Sequence, residues 1–184
     1  MATDGRIAIV DYDPQWPEIF LREAKRIHAA LGSRVVGLEH AGSTSVPGLS
    51  AKPIIDMTLV VDSSADEAGY LPVLEGAGYT LRIREPEWHQ HRMFKGPDTD
   101  VNLHVFSSGC PEVDRILRFR DWLRTHVADR DLYARTKLSL SRRKWETVDD
   151  YALAKTAVIE EILAQAWKSP ARARRDESGP LSRH

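Results

Sequence analysis

A short polar connection between two apolar segments constrains the fold of this chain more than any other feature. Residues 40–56 read HAGSTSVPGLSAKPIID, and they join VVGLE (35–39) to MTLVV (57–61). Apolar runs of this length, rich in β-branched residues, are typical of buried strands. Between them, glycine, proline and hydroxyl residues supply turn chemistry. The sequence therefore predicts two core strands joined by a compact polar loop, with Asp56 early in the second strand.

The polar connection suits the binding of a phosphate group. Gly42 lets the backbone approach a ligand because it has no Cβ. Ser43, Thr44 and Ser45 offer the hydroxyl and backbone N–H donors that an anion-binding concavity uses. Asp56, fixed on a strand, can hold a divalent cation through its carboxylate oxygens. The alternative is structural, a capped turn and a strand aspartate with an ordinary hydrogen bond, and spacing alone does not separate the two.

Hydrophobic periodicity indicates an α/β (α+β) fold. The patterns predict helices and strands in this order: helix 16–31, helix 63–76, strand 79–84, strand 92–95, strand 101–106, and helices from 111, over 129–143 and over 148–167. This order favours a mixed β-sheet flanked by helices, followed by a helical C-terminal segment. We expect one domain over 1–168, with the sheet in 9–110 and the helical part in 111–168. The polar residues 169–184 are predicted to be a disordered tail.

Composition narrows the class of protein. Hydrophobic residues make up 42% and charged residues 29%, which is typical of a soluble globular protein. The net charge of −1 gives no overall field that favours a nucleic acid or a membrane. The single cysteine, Cys110, excludes an internal disulfide and a cysteine-rich zinc site. With no apolar run long enough for a signal peptide or a membrane span, we expect a cytoplasmic protein.

Segment 40–56 resembles the signature of the GrpB family, which is related to the nucleotidyltransferase superfamily. Further similar blocks are DYDPQWPEIF (11–20), NLHV (102–105), FRDWLR (119–124) and the pairs Tyr133/Lys137 and Tyr151/Lys155. The resemblance covers about residues 9–167 and implies a nucleotidyltransferase-like sheet. It implies a divergent nucleotidyltransferase that acts on a nucleoside triphosphate and an unknown acceptor. The alternative is a non-catalytic module that binds a phosphorylated ligand or nucleotide, accessory to nucleotide or coenzyme A metabolism, because a similar domain is fused to dephospho-CoA kinase in some proteins.

The resemblance also implies where catalytic groups would lie. Nucleotidyltransferases place two carboxylates one residue apart on a strand after the G-S turn, and a third on a neighbouring strand, to hold two divalent cations. Here Ser43 and Asp56 match, and they are the expected catalytic residues. Thr58 occupies the second carboxylate position, and the third strand offers Asn102 and His104 after Asp100.

A single divalent metal is the cofactor that these residues suggest. Asp56 and His104 are the expected ligands of Mg or Mn, with Zn a weaker alternative. His40 could join them, since imidazole and carboxylate together suit Zn or Mn. The alternatives are that His104 only lines the pocket and that His40 has a structural role.

Cations in the family-like blocks are candidates for one wall of an anion pocket. They are Lys52, Arg92, Arg120, Lys137, Arg142, Arg143 and Lys155. Arginine binds phosphate as a bidentate fork and lysine as a point charge. The structural alternatives are an ion pair of Asp121 with Arg120 or Lys137, and a solvated face for Lys137, Arg142 and Arg143. The complete predicted set for a small phosphorylated ligand is His40, Gly42, Ser43, Thr44, Ser45, Lys52, Arg92, His104, Arg120, Lys137 and Lys155.

Overall fold

The structure is a computed structural model and describes residues 7–169. The strands are β1 (Gly37–Ala41), β2 (Ile55–Val61), β3 (Thr80–Glu85), β4 (His91–Lys95) and β5 (Val101–Ser107). The helices are α1 (Trp16–Leu31), α2 (Leu71–Gly76), α3 (Pro111–Thr125), α4 (Val127–Ser141), α5 (Val148–Ala154) and α6 (Thr156–Lys168). A mixed sheet flanked by helices, with a helical C-terminal part, confirms the predicted fold class. The predicted tail lies outside the described residues from 170 onward.

The five strands form one mixed sheet in the order β1-β2-β5-β4-β3. The central pair, β2 and β5, is parallel, and the other three pairs are antiparallel. Parallel neighbours need a crossover connection, which here includes α2 and the β3–β4 hairpin. The crossover places β2 and β5 side by side, so residues far apart in the chain share the centre of the sheet.

One face of the sheet is the hydrophobic core. Alternate residues of a strand point to opposite faces, so the apolar positions of β2 and β5 share one side. They are Ile55, Met57, Leu59, Val101, Leu103 and Val105, each at most 2% exposed, and they form one cluster with residues of α1 and α2. The intervening positions, which carry most of the polar side chains, therefore point to the other face.

A second, smaller core joins the polar loop to the C-terminal helices. Val46 and Leu49 of the loop are buried with Leu123, Tyr133 and Ile162. Since Val46 lies three residues after Ser43 in the chain, burying the loop also fixes the turn that carries the hydroxyl residues. The helical part is thus packed against the loop that the sequence analysis singled out.

Three predicted boundaries are wrong. The helix predicted over 63–76 begins only at Leu71, because Pro72 lacks an N–H and fits only the first helical turn. The helix predicted over 148–167 is divided at Lys155, whose N–H bonds to the Ala152 carbonyl in a tighter turn. The first strand, predicted over the run 35–39 with Glu39 and His40 at its end, runs instead from Gly37 to Ala41.

None of the helices described in residues 7–169 combines the length and the apolar composition that a membrane crossing requires.

Candidate functional site

The polar face of the sheet centres on Asp56. Asp56 pairs with Asn102, and Thr58 pairs with His104, in the parallel register of β2 and β5. Directly opposite residues of paired strands share a face, so these four side chains form a polar patch on the side away from the α1 core. The fold thereby assembles the positions that the sequence analysis compared with metal-binding carboxylates.

Asp56 is held as an ionised carboxylate. The side chain is 33% exposed, and its Oδ1 accepts a hydrogen bond of 3.0 Å from Asn102 Nδ2. His104 Nε2 lies 3.7 Å from the same oxygen. Burial alone would raise the pKa of the Asp56 carboxyl, but its interactions with His104, Asn102 and Lys155 outweigh burial and hold the pKa below its ordinary value. A negative charge is therefore fixed at the centre of the patch.

Gly42 sits directly against Asp56. A Cβ built on Gly42 would lie 2.4 Å from Asp56 Oδ2 and 3.0 Å from Asp56 Cβ. The backbone of Gly42 has φ 66° and ψ −174°, a conformation that is almost restricted to glycine. The turn can approach the strand aspartate only because this position has no side chain, as the sequence analysis expected for a close backbone approach.

Three lysines from three different segments surround this turn. The Lys52 and Lys155 ammonium nitrogens lie 5.1 Å and 4.7 Å from the centroid of the Tyr151 ring. Lys137 Nζ lies 4.8 Å from the centroid of the Tyr133 ring and donates a hydrogen bond to the Ser50 carbonyl. The side chains of Tyr133 and Ser43 interact. The loop, α4 and the junction of α5 and α6 thus bring their cations to one region.

None of these lysines forms a direct ion pair with a carboxylate of the described residues, and Asp56 attracts Lys52 and Lys155 only at longer range. Within residues 7–169, none of Lys52, Lys137 and Lys155 has a carboxylate oxygen within 4.0 Å of its ammonium nitrogen. Burial, followed by repulsion from Lys155, lowers the pKa of Lys137 to about 7. Burial also lowers the pKa of Lys52 and of Lys155, and repulsion from Lys52 adds to the effect on Lys155. The site therefore carries unbalanced positive charge that favours an anion.

Several buried polar atoms near this patch lack partners. Among the described residues, the Thr58 hydroxyl, the Asn102 Oδ1 atom and the Tyr151 hydroxyl make no hydrogen bond. Thr58 and Tyr151 are each 1% exposed. Buried polar groups in native proteins are normally satisfied by protein, water or ligand. Their grouping around Asp56 and the lysines adds hydrogen-bonding capacity to the candidate site.

His104 is connected to the protein surface through His91. The exposed Glu85 contacts His91 Nδ1 at 2.6 Å, and His91 Nε2 lies 2.9 Å from His104 Nδ1. Burial lowers the pKa of His91. His91 is the member of this line that the sequence analysis missed.

Two predicted hydroxyl ligands are used inside the turn. Thr44 Oγ1 donates to the Ile54 carbonyl at 3.1 Å, and Ser45 Oγ donates to the Gly42 carbonyl. Both residues are buried. Of the three consecutive hydroxyl residues, Ser43 is the one whose side chain interacts with Tyr133, and Lys137 lies over the same tyrosine ring.

His40 lies away from Asp56, on the opposite face of the sheet. It pairs with Met57 rather than Asp56, and its ring stacks on Phe20 of α1 with a centroid distance of 5.0 Å. His40 Nε2 lies 3.0 Å from Thr44 Oγ1, and because that hydroxyl donates to Ile54, the imidazole is the donor. The predicted convergence of His40 with Asp56 and His104 does not occur, because His40 lies opposite Met57, whose side chain belongs to the core that includes α1.

We expect His40 to make the protein less stable in mild acid. Burial, followed by repulsion from Arg124, lowers the pKa of His40 to about 4 from an ordinary value of 6.5. Between pH 6.5 and pH 4, His40 is protonated in the unfolded state and neutral in the folded state. The free energy of unfolding therefore decreases as the pH falls across this interval. The loss should be on the order of 2–3 kcal/mol.

Denaturant unfolding at about pH 7 and about pH 4.5 measures this effect. His40→Gln retains a donor to Thr44 but cannot titrate, so its loss of stability over the interval should be smaller than that of the wild type. An equal loss in both proteins would show that His40 is not the titrating group.

Arg120 is already neutralised by carboxylates. It is 8% exposed, and it donates to Glu39 Oε2 and to Asp121 Oδ1, both at 2.7 Å, and to the His40 carbonyl at 3.0 Å. These contacts match the structural alternative for Arg120 and tie α3 to β1. Arg124, which the sequence analysis did not select, donates twice to the Ser45 carbonyl.

A cleft of about 440 Å³ lies beside these arginines, on the His40 side of β1. Its lining residues are Tyr12, Pro17, Phe20, Leu21, Leu38, Glu39, His40, Ser45, Pro47, Arg120 and Arg124. The cleft is lined by neither Asp56 nor the three lysines, so it is separate from the polar patch.

The remaining predicted cations lie apart from Asp56. Arg92 pairs with Val105, on the core side of the sheet, and its guanidinium bonds to Glu67 Oε1 at 2.5 Å. Arg142 and Arg143 are exposed beyond the end of α4, as the solvated alternative holds. From the predicted set, the structure therefore brings together Gly42, Ser43, Lys52, Asp56, His104, Lys137 and Lys155.

A two-metal centre does not fit these residues. Within residues 7–169, no three His, Cys, Asp or Glu side chains are arranged to hold a metal ion. On the polar patch, Asp56 is followed by Thr58 and faced by Asn102, so one carboxylate occupies a region where two-metal chemistry needs several. A single Mg²⁺ or Mn²⁺ on Asp56 and His104 would have two protein ligands and stays a prediction.

The sheet order, the glycine-serine turn and the strand aspartate define an α/β domain with a polar site on one face of a mixed five-stranded sheet. The chain belongs to the GrpB family, because the family model described as GrpB protein matches residues 6–165. It is 60% identical over 163 residues to a UPF0157 protein of Halalkalibacterium halodurans, which covers 89% of this chain and 84% of that protein. The crystal structure of the conserved protein GrpB from Enterococcus faecalis superposes with a TM-score of 0.74 at 30% identity, over 87% of this chain and 99% of that one.

Two more distant likenesses were found. A dephospho-CoA kinase of Mycolicibacterium paratuberculosis is 27% identical over 187 residues, which is 88% of this chain and 46% of the kinase. The Cid1 poly(U) polymerase superposes with a TM-score of 0.44 at 9% identity, over 71% of this chain and 45% of that one.

Proposed function

We propose that this protein binds a small phosphorylated ligand, of nucleotide or coenzyme type, on the polar patch beside Asp56. The observation that supports this proposal is the group of three lysines without carboxylate partners in the described chain. Lys137 is 2% exposed, and it retains one hydrogen bond, to a backbone carbonyl. Burying an uncompensated ammonium group destabilises a protein. We therefore infer that an anion binds beside Lys137 when the protein functions.

A phosphate group meets the needs of this site better than a carboxylate ligand would. Its three terminal oxygens can accept from several ammonium groups at once, and each such bond is charge-assisted. The Ser43 and Tyr151 hydroxyls can donate to further oxygens. Related proteins are named dephospho-CoA kinase, so coenzyme A precursors and nucleoside triphosphates are the first ligands to test.

Nucleotidyl transfer is the second candidate, and the ionised Asp56 beside Ser43 favours it. Ser43 would then contact the phosphates and Asp56 would orient the attacking group. Incubation with labelled triphosphates and candidate acceptors tests this function. Turnover that disappears in Asp56→Ala, with ligand binding retained, would establish transfer over binding alone.

Removing one lysine of the group should weaken binding by tenfold or more. Lys155→Ala and Lys52→Ala each delete a charge-assisted contact worth about 1.5–3 kcal/mol. Isothermal titration calorimetry with ATP, dephospho-CoA, coenzyme A and pyrophosphate measures the change. Lys25→Ala is the matched control, because Lys25 is an exposed lysine of α1, which packs on the opposite face of the sheet. Unchanged affinity in both site variants, or no binding of any probe by the wild type, would contradict the proposal.

A further inference from the structure

The charge balance of the polar patch differs from that of a two-metal site. A two-metal site uses several carboxylates to hold its cations, and the cations then neutralise the phosphates. Here one carboxylate, Asp56, interacts with Lys52 and Lys155, and Lys137 interacts with Lys155. Thr58 and Asn102, at neighbouring positions, have neutral side chains. The protein therefore carries on its own side chains the positive charge that metal ions would otherwise bring.

We propose that this site binds phosphate without a divalent cation, with Lys52, Lys137 and Lys155 supplying the whole positive charge. This inference rests on the proposed function and specifies the form of its ligand: the metal-free phosphate or pyrophosphate anion rather than its magnesium complex. A dication entering the patch would meet three ammonium groups and one carboxylate, so repulsion opposes its binding.

The arrangement around Tyr151 supports the same conclusion. Lys52 comes from the loop before β2 and Lys155 from the junction between α5 and α6, yet both ammonium groups lie over one aromatic ring. Two ammonium groups beside the same aromatic ring repel each other, and a bound anion would offset that repulsion. The buried Tyr151 hydroxyl has no partner in residues 7–169, and it adds a neutral donor at the same place.

If no metal is bound, Asp56 moderates the positive charge of the lysines and does not recruit a cation. In a metal-dependent site the carboxylate recruits the cation, so removing its charge abolishes binding. Here Asp56 interacts with the ammonium groups of Lys52 and Lys155, and its charge offsets part of theirs. Removing the charge with Asp56→Asn, which preserves the shape and the contact with Asn102, should leave more positive potential for the anion.

Calorimetric titration with inorganic pyrophosphate tests the inference in three buffers, containing EDTA, Mg²⁺ or Mn²⁺. The expected result is an affinity in EDTA at least as high as in either metal, because metal complexation removes free anion. Asp56→Asn should bind pyrophosphate as tightly as the wild type or up to about tenfold more tightly. Raising the salt concentration should weaken binding in both proteins, since the contacts are charge–charge interactions.

Different results would contradict metal-independent binding and phosphate binding itself. Binding that requires Mg²⁺ or Mn²⁺, or that falls tenfold or more in Asp56→Asn, would overturn metal-independent binding and leave the phosphate-binding function standing. The EDTA comparison uses the wild-type protein, so it decides the question even if the variant fails to fold. Absence of pyrophosphate, nucleotide and coenzyme binding under every condition would overturn both.

Discussion

Replacement of Gly42 by alanine is expected to destabilise the protein by on the order of 3 kcal/mol and to abolish phosphate binding. Two effects add. The backbone of Gly42, at φ 66° and ψ −174°, lies in a region that costs about 1–3 kcal/mol for other residues. The new Cβ would also lie 2.4 Å from Asp56 Oδ2, so the strand aspartate or the turn must move. Either movement disturbs the position of Ser43 relative to Asp56.

Gly48→Ala provides the matched control for this prediction. Gly48 lies in the same loop at φ 79°, but a Cβ there would meet nothing within 4 Å. Its substitution should cost about 1 kcal/mol of backbone strain and leave ligand affinity unchanged. Urea unfolding and calorimetric titration of both variants measure the two effects. Equal losses of stability in the two variants would show that the contact with Asp56 contributes nothing.

Replacement of Lys137 by methionine is expected to stabilise the protein near neutral pH while it removes ligand binding. Burial lowers the pKa of Lys137 to about 7 from 10.5, so near pH 7 the folded state disfavours the proton that the unfolded state holds. Methionine has a similar length and no charge, and it can lie against the Tyr133 ring. After allowance for the lost hydrogen bond to Ser50, the gain should be on the order of 2 kcal/mol.

The pH dependence distinguishes this cause from better packing. For the wild type, the unfolded state binds more protons between pH 7 and pH 10.5, so the stability contributed by Lys137 rises with pH across that window. The advantage of Lys137→Met should therefore shrink as the pH rises. Chemical denaturation at several pH values measures it, with Lys25→Met as the exposed control. A variant that is less stable than the wild type near pH 7 would contradict the explanation.

The sequence predicted the fold more accurately than the site. Helix 16–31 was predicted with its observed bounds, because apolar residues recur with helical spacing and Gly32 follows. The fold class was confirmed for the same reason: strands and helices alternate with clear turn residues between them. The helix before β3 was overextended, because Pro72 and a 3₁₀ turn at Glu67–Gly69 shorten it.

Site geometry depends on registers that a sequence does not display. Which face of the sheet His40 occupies depends on the register of β1 against β2, and the pairing of His40 with Met57 decides it. The contact of His91 with His104 follows from the register of β4 and β5. Arg120 could be recognised only as a candidate cation, since its neutralisation depends on how α3 crosses β1. The sequence indicates the lysines as candidate anion ligands because they lie in family-like blocks. Their lack of direct carboxylate partners depends on the folded chain.

Packing of the loop has one more consequence. Val46 and Leu49 are enclosed by residues of the C-terminal helices, a few positions after Ser43. Any molecule held by both Ser43 and Lys155 would bridge the sheet-containing part and the C-terminal helices. Such a ligand would favour the state in which these two halves of the chain remain in contact. Occupancy of the patch and association of the halves are therefore thermodynamically linked.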